Sequence, residues 1–325
     1  MQKRDIVFFA TSKSGLGHLR RTSTIARAIR AQDRARRMRL VTNAPPEGLE
    51  AADLAAFDQI EIAEKADMPG LLGPHSTAVL DTMNLTEIEA AGSPRVLVLR
   101  ETDPGQMSRF VPLAQPWDRV IVANPANHWL PALPRGAARQ ITPVGWIYRH
   151  AGPAVRDQAA RPQLLIATGG GGTARTADGL YLQIGAVLSA LQARGGGSVE
   201  IVQAIGPRAA GFGTIAGVMR TVDPGGALNS LFQAADAVIS TAGYNSVLEL
   251  ATTDTPSLLV AIPRSIDDQE ARAALWGQHL GMHLTDPDLA ADWLAGVLAS
   301  RSRRAPIQLG QSGETRAADV ILELG

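Results

Sequence analysis

The stretch from Asp236 to Ala274 constrains the fold of this chain more than any other. It opens with a short apolar run, Ala237 to Ile239, which is typical of a strand buried on both faces. A glycine-containing turn and a segment with apolar residues at helical spacing come next. A second apolar run, Leu258 to Ile262, ends at Pro263 and leads into another helix. Buried strands that alternate with helices in this way predict a parallel α/β sheet.

The turn in this stretch has the chemistry of an anion site. We expect Gly243 to let the backbone turn sharply, and Asn245 and Ser246 to begin a helix, where the first amides lack helical partners. Such amides, with the positive end of the helix dipole, favour a phosphate. Glu249 then lies within reach of a ribose hydroxyl. The alternative is an ordinary βαβ unit, in which Glu249 is a solvated helix residue and Asp267 a helix cap.

This arrangement resembles the carboxy-terminal half of GT-B glycosyltransferases, specifically the MurG-like family that uses UDP-N-acetylglucosamine. The resemblance implies that the turn and its helix bind pyrophosphate and ribose, and that a glutamine near the next helix start contacts the donor sugar. The matching residues are Gly243, Ser246, Glu249, Pro263 and Gln269, and the donor site is completed by Thr241, Asn245 and Asp268.

Length and composition limit the classes of protein that the chain can form. A chain of 325 residues is long for one core and predicts two domains, which we place at 1–155 and 156–325. We expect the last helix to pack back on the first domain. Lys+Arg and Asp+Glu both number 31, so no global field favours nucleic acid. The absence of cysteine excludes disulfides, thiolate nucleophiles and cysteine-based zinc sites.

The apolar run from Ile6 to Ala10 predicts a buried first strand, followed by a loop and a helix to about Gln32. The run is too short for a signal sequence or a membrane span, so we expect a cytoplasmic protein without an integral membrane segment. Glycines in the loop invite comparison with dinucleotide-binding folds. However, Arg20 occupies the place of the third glycine, and Asn43 rather than an acid follows the second strand, which argues against NAD.

The loop sequence GLGHLRR, residues 15–21, resembles the amino-terminal loop of MurG relatives and of UDP-sugar hydrolases of the PseG type. In those families the histidine faces the cleft between the domains and acts as a base, which assigns that role to His18. Arg21 is closer to the hydrolase-like relatives than to MurG itself. The alternative for His18 is a helix-start residue bonded to local backbone. The predicted acceptor side of the cleft includes Ser14, Gly15, Gly17 and Arg21.

Polar residues follow the next predicted strands of the first half. Asp81 ends one apolar run, and Arg100 and Glu101 end another. Because cleft residues collect at the carboxyl ends of parallel strands, we expect these side chains to line the acceptor site, although each acid could instead cap a helix. The Gly/Pro-rich segment from Met68 to His75 is expected to form a loop over the cleft.

The second half restarts the pattern with an apolar strand, Leu164 to Ala167, and a glycine-rich loop. Glycines expose backbone amides to a pyrophosphate, so we assign donor binding to Gly170, Gly171, Gly172 and Thr173. The resemblance further implies that backbone near Val222 receives the base. The helix after the loop shows apolar residues on one face, namely Leu180, Ile184, Val187, Leu188 and Leu191.

Two other features have less specific interpretations. The arginines of the first helix and its exit are expected to form a solvated face; they are Arg27, Arg30, Arg34, Arg36, Arg37 and Arg39. Asp286-Pro287-Asp288 has the pattern of a metal-binding DxD, but its position favours a helix start with proline near its first residue.

The combined prediction is an α/β protein of the GT-B fold, with two Rossmann-like domains facing across a cleft. Its expected function is that of an inverting, metal-independent glycosyltransferase of the hexosyltransferase class. It would transfer N-acetylglucosamine or a related sugar from a UDP-sugar to a small-molecule, glycan or lipid-linked acceptor hydroxyl, without a cofactor, as a monomer or homodimer. The alternatives are a PseG-type UDP-sugar hydrolase, a UDP-sugar epimerase and a non-catalytic nucleotide-sugar-binding protein.

Overall fold

The computed structural model describes residues 3–12, 15–44, 46–89, 92–150, 161–169, 174–195, 198–206, 209–264 and 266–325. The chain divides into two compact units. The first comprises Met1–Tyr148, Ser265–Asp267 and Gly310–Gly325, and the second comprises Arg149–Arg264 and Asp268–Leu309. Each unit is built on its own parallel sheet, which confirms the prediction of two α/β halves.

The first unit has a parallel sheet in the order β3-β2-β1-β4-β5-β6-β7. Its strands are β1 Asp5–Ala10, β2 Met38–Thr42, β3 Gln59–Ile62, β4 Ser76–Asp81, β5 Arg95–Leu99, β6 Arg119–Val122 and β7 Ile141–Pro143. The central strands β4 and β5 are buried along their whole length, as strands covered on both faces must be. Because the strand order reverses beside β1, the segments that follow β1 and β4 emerge next to each other.

Four α-helices belong to the described part of the first unit. They are α1 Gly17–Gln32, α2 Ala51–Leu54, α3 Thr86–Glu89 and α9 Glu314–Leu322. α1 buries Leu19, Ile25 and Ile29 and packs with α9. Each fully buried side chain of this kind contributes about 1.5–3 kcal/mol of transfer free energy. α1 therefore has a fixed position relative to β1, and its first turn holds His18.

The second unit has a parallel sheet in the order β10-β9-β8-β11-β12-β13. Its strands are β8 Gln163–Ala167, β9 Glu200–Ala204, β10 Arg220–Val222, β11 Ala237–Thr241, β12 Ser257–Val260 and β13 Gly281–His283. Its helices are α4 Ala174–Ala193, α5 Leu228–Ala234, α6 Tyr244–Ala251, α7 Gln269–Leu280 and α8 Pro287–Ser300. The predicted apolar face of α4 is buried in a core shared with the strands and α8, which confirms the helical spacing.

Several arginines of α1 and its exit differ from the predicted solvated face. Arg36 is buried, and its guanidinium donates to the carbonyls of Arg4 and Gly325 at 2.9 and 3.3 Å. Arg30 donates to the carbonyl of Ala56 at 3.0 Å. These partners are distant in sequence, so the arginines satisfy backbone groups that no local pattern reveals.

The segment before β4 also differs from its prediction. Met68 is fully buried in the core of the first unit. The carbonyl of Leu71 accepts a hydrogen bond of 2.9 Å from Arg39, close to the amino-terminal end of β2. The segment therefore reaches the amino-terminal ends of the strands, whereas His18 lies at their carboxyl ends. The expectation of a loop over the cleft is wrong. Among the described residues, no helix has the length and apolar character needed to cross a membrane.

Candidate functional site

His18 lies at the carboxyl edge of the first sheet, in the first turn of α1. Its Nδ1 atom is 2.7 Å from Oδ1 of Asp81, the last residue of β4. The contact forms because β1 and β4 are neighbours in the sheet. The imidazole is 26% exposed, whereas the Asp81 side chain is 2% exposed. A carboxylate only accepts hydrogen bonds, so Nδ1 carries a proton, and in the neutral ring the lone pair is on Nε2.

Arg21 binds the same carboxylate from one turn further along α1. Its Nε atom donates to Asp81 Oδ2 at 2.8 Å, and its Nη2 atom donates to Oδ1. Nη2 also donates to Thr82 Oγ1 at 2.9 Å. Thr82 has a φ of 52°, a left-handed conformation that costs energy in a β-branched residue and is concentrated at functional sites.

Two opposing effects act on the pKa of Asp81. Burial alone would raise it, but the charge of Arg21 and the hydrogen bonds from His18 and Arg21 lower it to about 2. The carboxylate is therefore charged at neutral pH and has a balancing cation beside it. It holds the ring of His18 with Nδ1 inward, so Nε2 is the nitrogen left to take a proton.

The predicted acceptor residues Arg100 and Glu101 follow β5 at the same edge. Oε2 of Glu101 lies 2.7 Å from Nε2 of His128. The backbone amide of Glu101 donates to Oδ1 of Asn124 at 2.8 Å. Arg100 forms an ion pair of 3.3 Å with Asp267. Sequence analysis missed His128, which follows β6 in a loop. A histidine shortly after a buried strand was the available signal.

The other predicted residues of this edge have local roles. Gly17 is the first residue of α1, and the carbonyl of Gly15 accepts from the hydroxyl of Ser12. The amide of Ser12 donates to Asn43 at 2.7 Å, so the loop after β1 is attached to the end of β2. Ser14 lies outside the described residues.

In the second unit, β11 ends at Thr241 and α6 begins at Tyr244, with Gly243 as its N-cap. Gly243 has φ −68° and ψ 145°, an extended conformation open to any residue. The prediction that its backbone freedom makes the turn is therefore wrong. A Cβ at this position would meet Ser246 Oγ at 3.6 Å, an ordinary contact. The glycine leaves the helix start uncovered by a side chain, which suits the close approach of a ligand.

The predicted donor-site residues of α6 differ in burial. Asn245 and Ser246 are half-buried in its first turn, where helix amides point outward. Glu249 is only 3% exposed, so it is not the solvated helix residue of the alternative interpretation. A buried carboxylate must be satisfied by polar groups, which makes its position specific.

Side chains at the start of α7 bind the backbone that follows β11 and β12. Asp268 is its N-cap, and its carboxylate accepts from the amide of Ala271 at 3.0 Å. This is a structural contact, so the assignment of Asp268 to the donor site has a competing explanation. Gln269 is buried, and its Oε1 atom accepts from the amide of Ile262 at 3.3 Å. Arg272, which sequence analysis missed, is 3% exposed and donates from Nη1 to the carbonyl of Ala242 at 2.9 Å.

Val222, the predicted contact of the base, is the last residue of β10. The carbonyl of Val222 accepts from the amide of Ile205 at 2.9 Å, so it continues the sheet pairing. Gly169 has a φ of 60°, and a Cβ there would lie 3.8 Å from Thr241 Oγ1. Gly170, Gly171, Gly172 and Thr173 lie outside the described residues.

The Asp286-Pro287-Asp288 sequence starts α8, as its position predicts. Asp286 Oδ1 accepts from the amides of Asp288 and Leu289, both at 2.9 Å. This confirms the helix cap. In the described part of the chain, no group of three or more His, Cys, Asp or Glu side chains has the arrangement of a metal site.

Comparison with known proteins gives independent information on both units. Residues 170–302 match the model of the glycosyltransferase family 28 C-terminal domain. A UDP-N-acetylglucosamine–N-acetylmuramyl-(pentapeptide) pyrophosphoryl-undecaprenol N-acetylglucosamine transferase of Nocardioides sp. is 30% identical over 184 residues, which are 51% of this chain and 48% of that protein. The chain thus spans about half the length of this curated relative.

Solved structures are similar over nearly the whole chain. The S. aureus MnaA–UDP co-structure has a TM-score of 0.63 at 10% identity and covers 96% of this chain and 94% of its own. The kitacinnamycin glycotransferase has a TM-score of 0.57 at 15% identity, with 100% of both chains covered. At these identities the likeness concerns the fold. Together the comparisons confirm the resemblance to MurG-like glycosyltransferases of the GT-B fold, and within it residues 170–302 are similar to the family 28 C-terminal domain.

Proposed function

We propose that the protein is an inverting, metal-independent glycosyltransferase that moves a sugar from a UDP-sugar to an acceptor hydroxyl. The observation that carries this proposal is the contact of 2.7 Å between His18 and Asp81, which leaves Nε2 of a partly exposed histidine as a proton acceptor. The match of residues 170–302 to the family 28 domain supports donor binding by the second unit. The names of the Nocardioides relative and of the MnaA–UDP structure support UDP as the nucleotide.

The reaction is a single displacement. Nε2 of His18 removes the proton from the acceptor hydroxyl as its oxygen forms a bond to the anomeric carbon of the sugar. The bond from that carbon to the β-phosphate oxygen breaks, and its electron pair leaves with UDP. Attack from the face opposite the leaving group inverts the configuration. Asp81 orients the ring and accompanies the positive charge that the imidazole gains.

The leaving UDP gains negative charge, which the start of α6 is suited to stabilise. The amides of the first turn point out of the helix, and the helix dipole is positive at this end. Glu249 is assigned to the ribose and Gln269 to the sugar, where its amide nitrogen donates while Oε1 holds Ile262. The donor sugar is N-acetylglucosamine or a relative, in keeping with the name of the Nocardioides protein, which also favours a lipid-linked acceptor.

A UDP-sugar hydrolase is the second candidate, because Arg21 matches the loop of the hydrolase-like relatives. The two functions differ in what they do with water. A hydrolase holds a water near the anomeric carbon and releases UDP steadily without an acceptor. A transferase excludes water until an acceptor hydroxyl is bound, so its UDP release without an acceptor is slow.

The experiment is a UDP-release assay with UDP-N-acetylglucosamine, run with and without lipid-linked and small glycan acceptors. Slow release that rises at least about tenfold with one acceptor, with inverted product by NMR, is expected. Acceptor-free release of UDP and free sugar near the median enzyme rate, on the order of 10 per second, would establish the hydrolase instead. No UDP release under any condition would contradict both activities.

A further inference from the structure

Arg272 has a structural contact that neither the sequence pattern nor the proposed reaction explains. It lies in the first turn of α7 and is 3% exposed. Its Nη1 atom donates at 2.9 Å to the carbonyl of Ala242, the residue between β11 and the N-cap of α6. Burying a guanidinium is costly, so a buried arginine at a strand exit has a specific task.

The contact fixes the direction of one peptide group. The amide of Ala242 is already held by the carbonyl of Val260 at 3.0 Å, so the peptide before Ala242 continues the sheet. Arg272 holds the next peptide through its carbonyl. In a trans peptide the C=O and N–H bonds point in opposite directions, so the N–H of Gly243 points away from Arg272. The first amide of the α6 start is thereby aimed by a side chain of α7.

A contact from Arg272 is useful here because the backbone of Gly243 is not confined to one conformation by its own side chain. The dihedral angles of Gly243 are those of ordinary extended backbone, and glycine has many other conformations available. A second contact from the same turn of α7 has a similar effect on the neighbouring strand, where Gln269 holds the amide of Ile262. The start of α7 therefore braces the exits of both β11 and β12.

We infer that Arg272 is a positioning residue for the diphosphate of the nucleotide donor, acting through the Ala242–Gly243 peptide and adding a positive charge beside it. This inference rests on the proposed function, since it takes the start of α6 as the diphosphate site. The inference predicts different effects on the diphosphate and on the nucleoside. Loss of Arg272 weakens the binding of ligands that carry phosphates and leaves the binding of ligands without phosphates unchanged.

The test compares binding of UDP and of uridine to wild type and to Arg272→Met, by calorimetry for UDP and ligand-observed NMR for uridine. We expect Arg272→Met to weaken the binding of UDP at least about tenfold and to change the affinity for uridine less than about twofold. Arg272→Lys, which keeps the charge with a single-point donor, should recover part of the loss. Should Arg272→Met not fold, Arg272→Lys carries the test, with weaker UDP binding and unchanged uridine binding expected.

Arg303→Met is the matched control. Arg303 also donates to a backbone carbonyl, that of Ala235 at 2.8 Å, but this residue lies before the first residue of β11, at the other end of the strand from Ala242. This variant should bind UDP as wild type does. Equal UDP affinity in wild type and the folded Arg272 variants, or equal losses for UDP and uridine, would overturn the inference while leaving the proposed function intact. A wild-type protein that does not bind UDP would overturn the proposed function itself.

Discussion

Nδ1 of His18 lies 2.7 Å from Oδ1 of Asp81, and both oxygens of that carboxylate are also bonded to Arg21. One buried carboxylate thus orients a partly exposed histidine and is balanced by a buried arginine. The arrangement couples the stability of the first unit to the geometry of its candidate base.

The first prediction concerns stability in acid. The folded pKa of Asp81 is lowered to about 2, whereas its ordinary value is 3.8. The unfolded chain therefore takes up this proton first as the pH falls, so the contribution is complete above about pH 4 and is lost towards pH 2. A shift of this size corresponds to about 2 kcal/mol.

Urea unfolding of wild type and Asp81→Asn between pH 5 and pH 2 measures this contribution. The difference in unfolding free energy between the two proteins should shrink by about 2 kcal/mol over that range. A difference that stays constant with pH would mean that Asp81 titrates alike in the folded and unfolded states, against this account.

The second prediction concerns the start of α6. Gly243→Ala should leave the fold intact, because its dihedral angles suit alanine and the new Cβ makes only an ordinary contact. The methyl group would nevertheless stand at the helix start where the diphosphate is proposed to bind. Calorimetry should show UDP affinity reduced about tenfold or more with a nearly unchanged melting temperature.

Gly296→Ala in α8 is the control for this variant, since no atom lies within 4 Å of its added Cβ. It should raise stability by about 0.5–1 kcal/mol and leave UDP binding alone. Unchanged UDP affinity in Gly243→Ala would place the diphosphate elsewhere.

The third prediction separates the nucleotide from the sugar. Glu249→Gln keeps the shape of a buried side chain and removes its charge, so UDP and UDP-N-acetylglucosamine should both weaken, by about tenfold or more. Gln269→Glu keeps an oxygen for the amide of Ile262 but loses the amide donor. It should weaken the UDP-sugar while leaving UDP almost unaffected. The assignment fails if both variants affect the two ligands equally.

The sequence predicts most of the architecture, because strands buried on both faces leave short apolar runs and α4 buries one regular apolar stripe. It also identifies His18, Asp81 and Arg21 as candidates. It does not predict that they meet, since this depends on β1 pairing with β4, which no local pattern specifies.

The residues that sequence analysis missed are those whose partners are remote. Arg272 and Ala242 are brought together by packing of α7 against β12 and α6, and Arg36 reaches the last residue of the chain. For Gly243 the sequence predicts a special backbone conformation that the structure does not have, because a glycine in a turn need not adopt angles that other residues avoid. A local pattern indicates where a turn lies, whereas side-chain contacts from elsewhere decide its geometry.

The fourth prediction concerns metal. Asp286 is bonded to two amides at the start of α8, which identifies it as a helix cap. Asp286→Ala should therefore cost about 0.5–2 kcal/mol of stability and leave turnover unchanged. Activity should survive EDTA. Loss of turnover in EDTA, restored by magnesium or manganese, would contradict the metal-independent mechanism.

The most direct test of the account is the turnover of His18→Gln measured together with its UDP affinity. Glutamine removes the proton-accepting nitrogen, and the proposed donor site is in the second unit. We predict that sugar transfer falls about a hundredfold to ten-thousandfold, while the dissociation constant for UDP changes less than about twofold. Transfer at the wild-type rate in this variant, with the donor still bound, would contradict the assignment of His18 as the base.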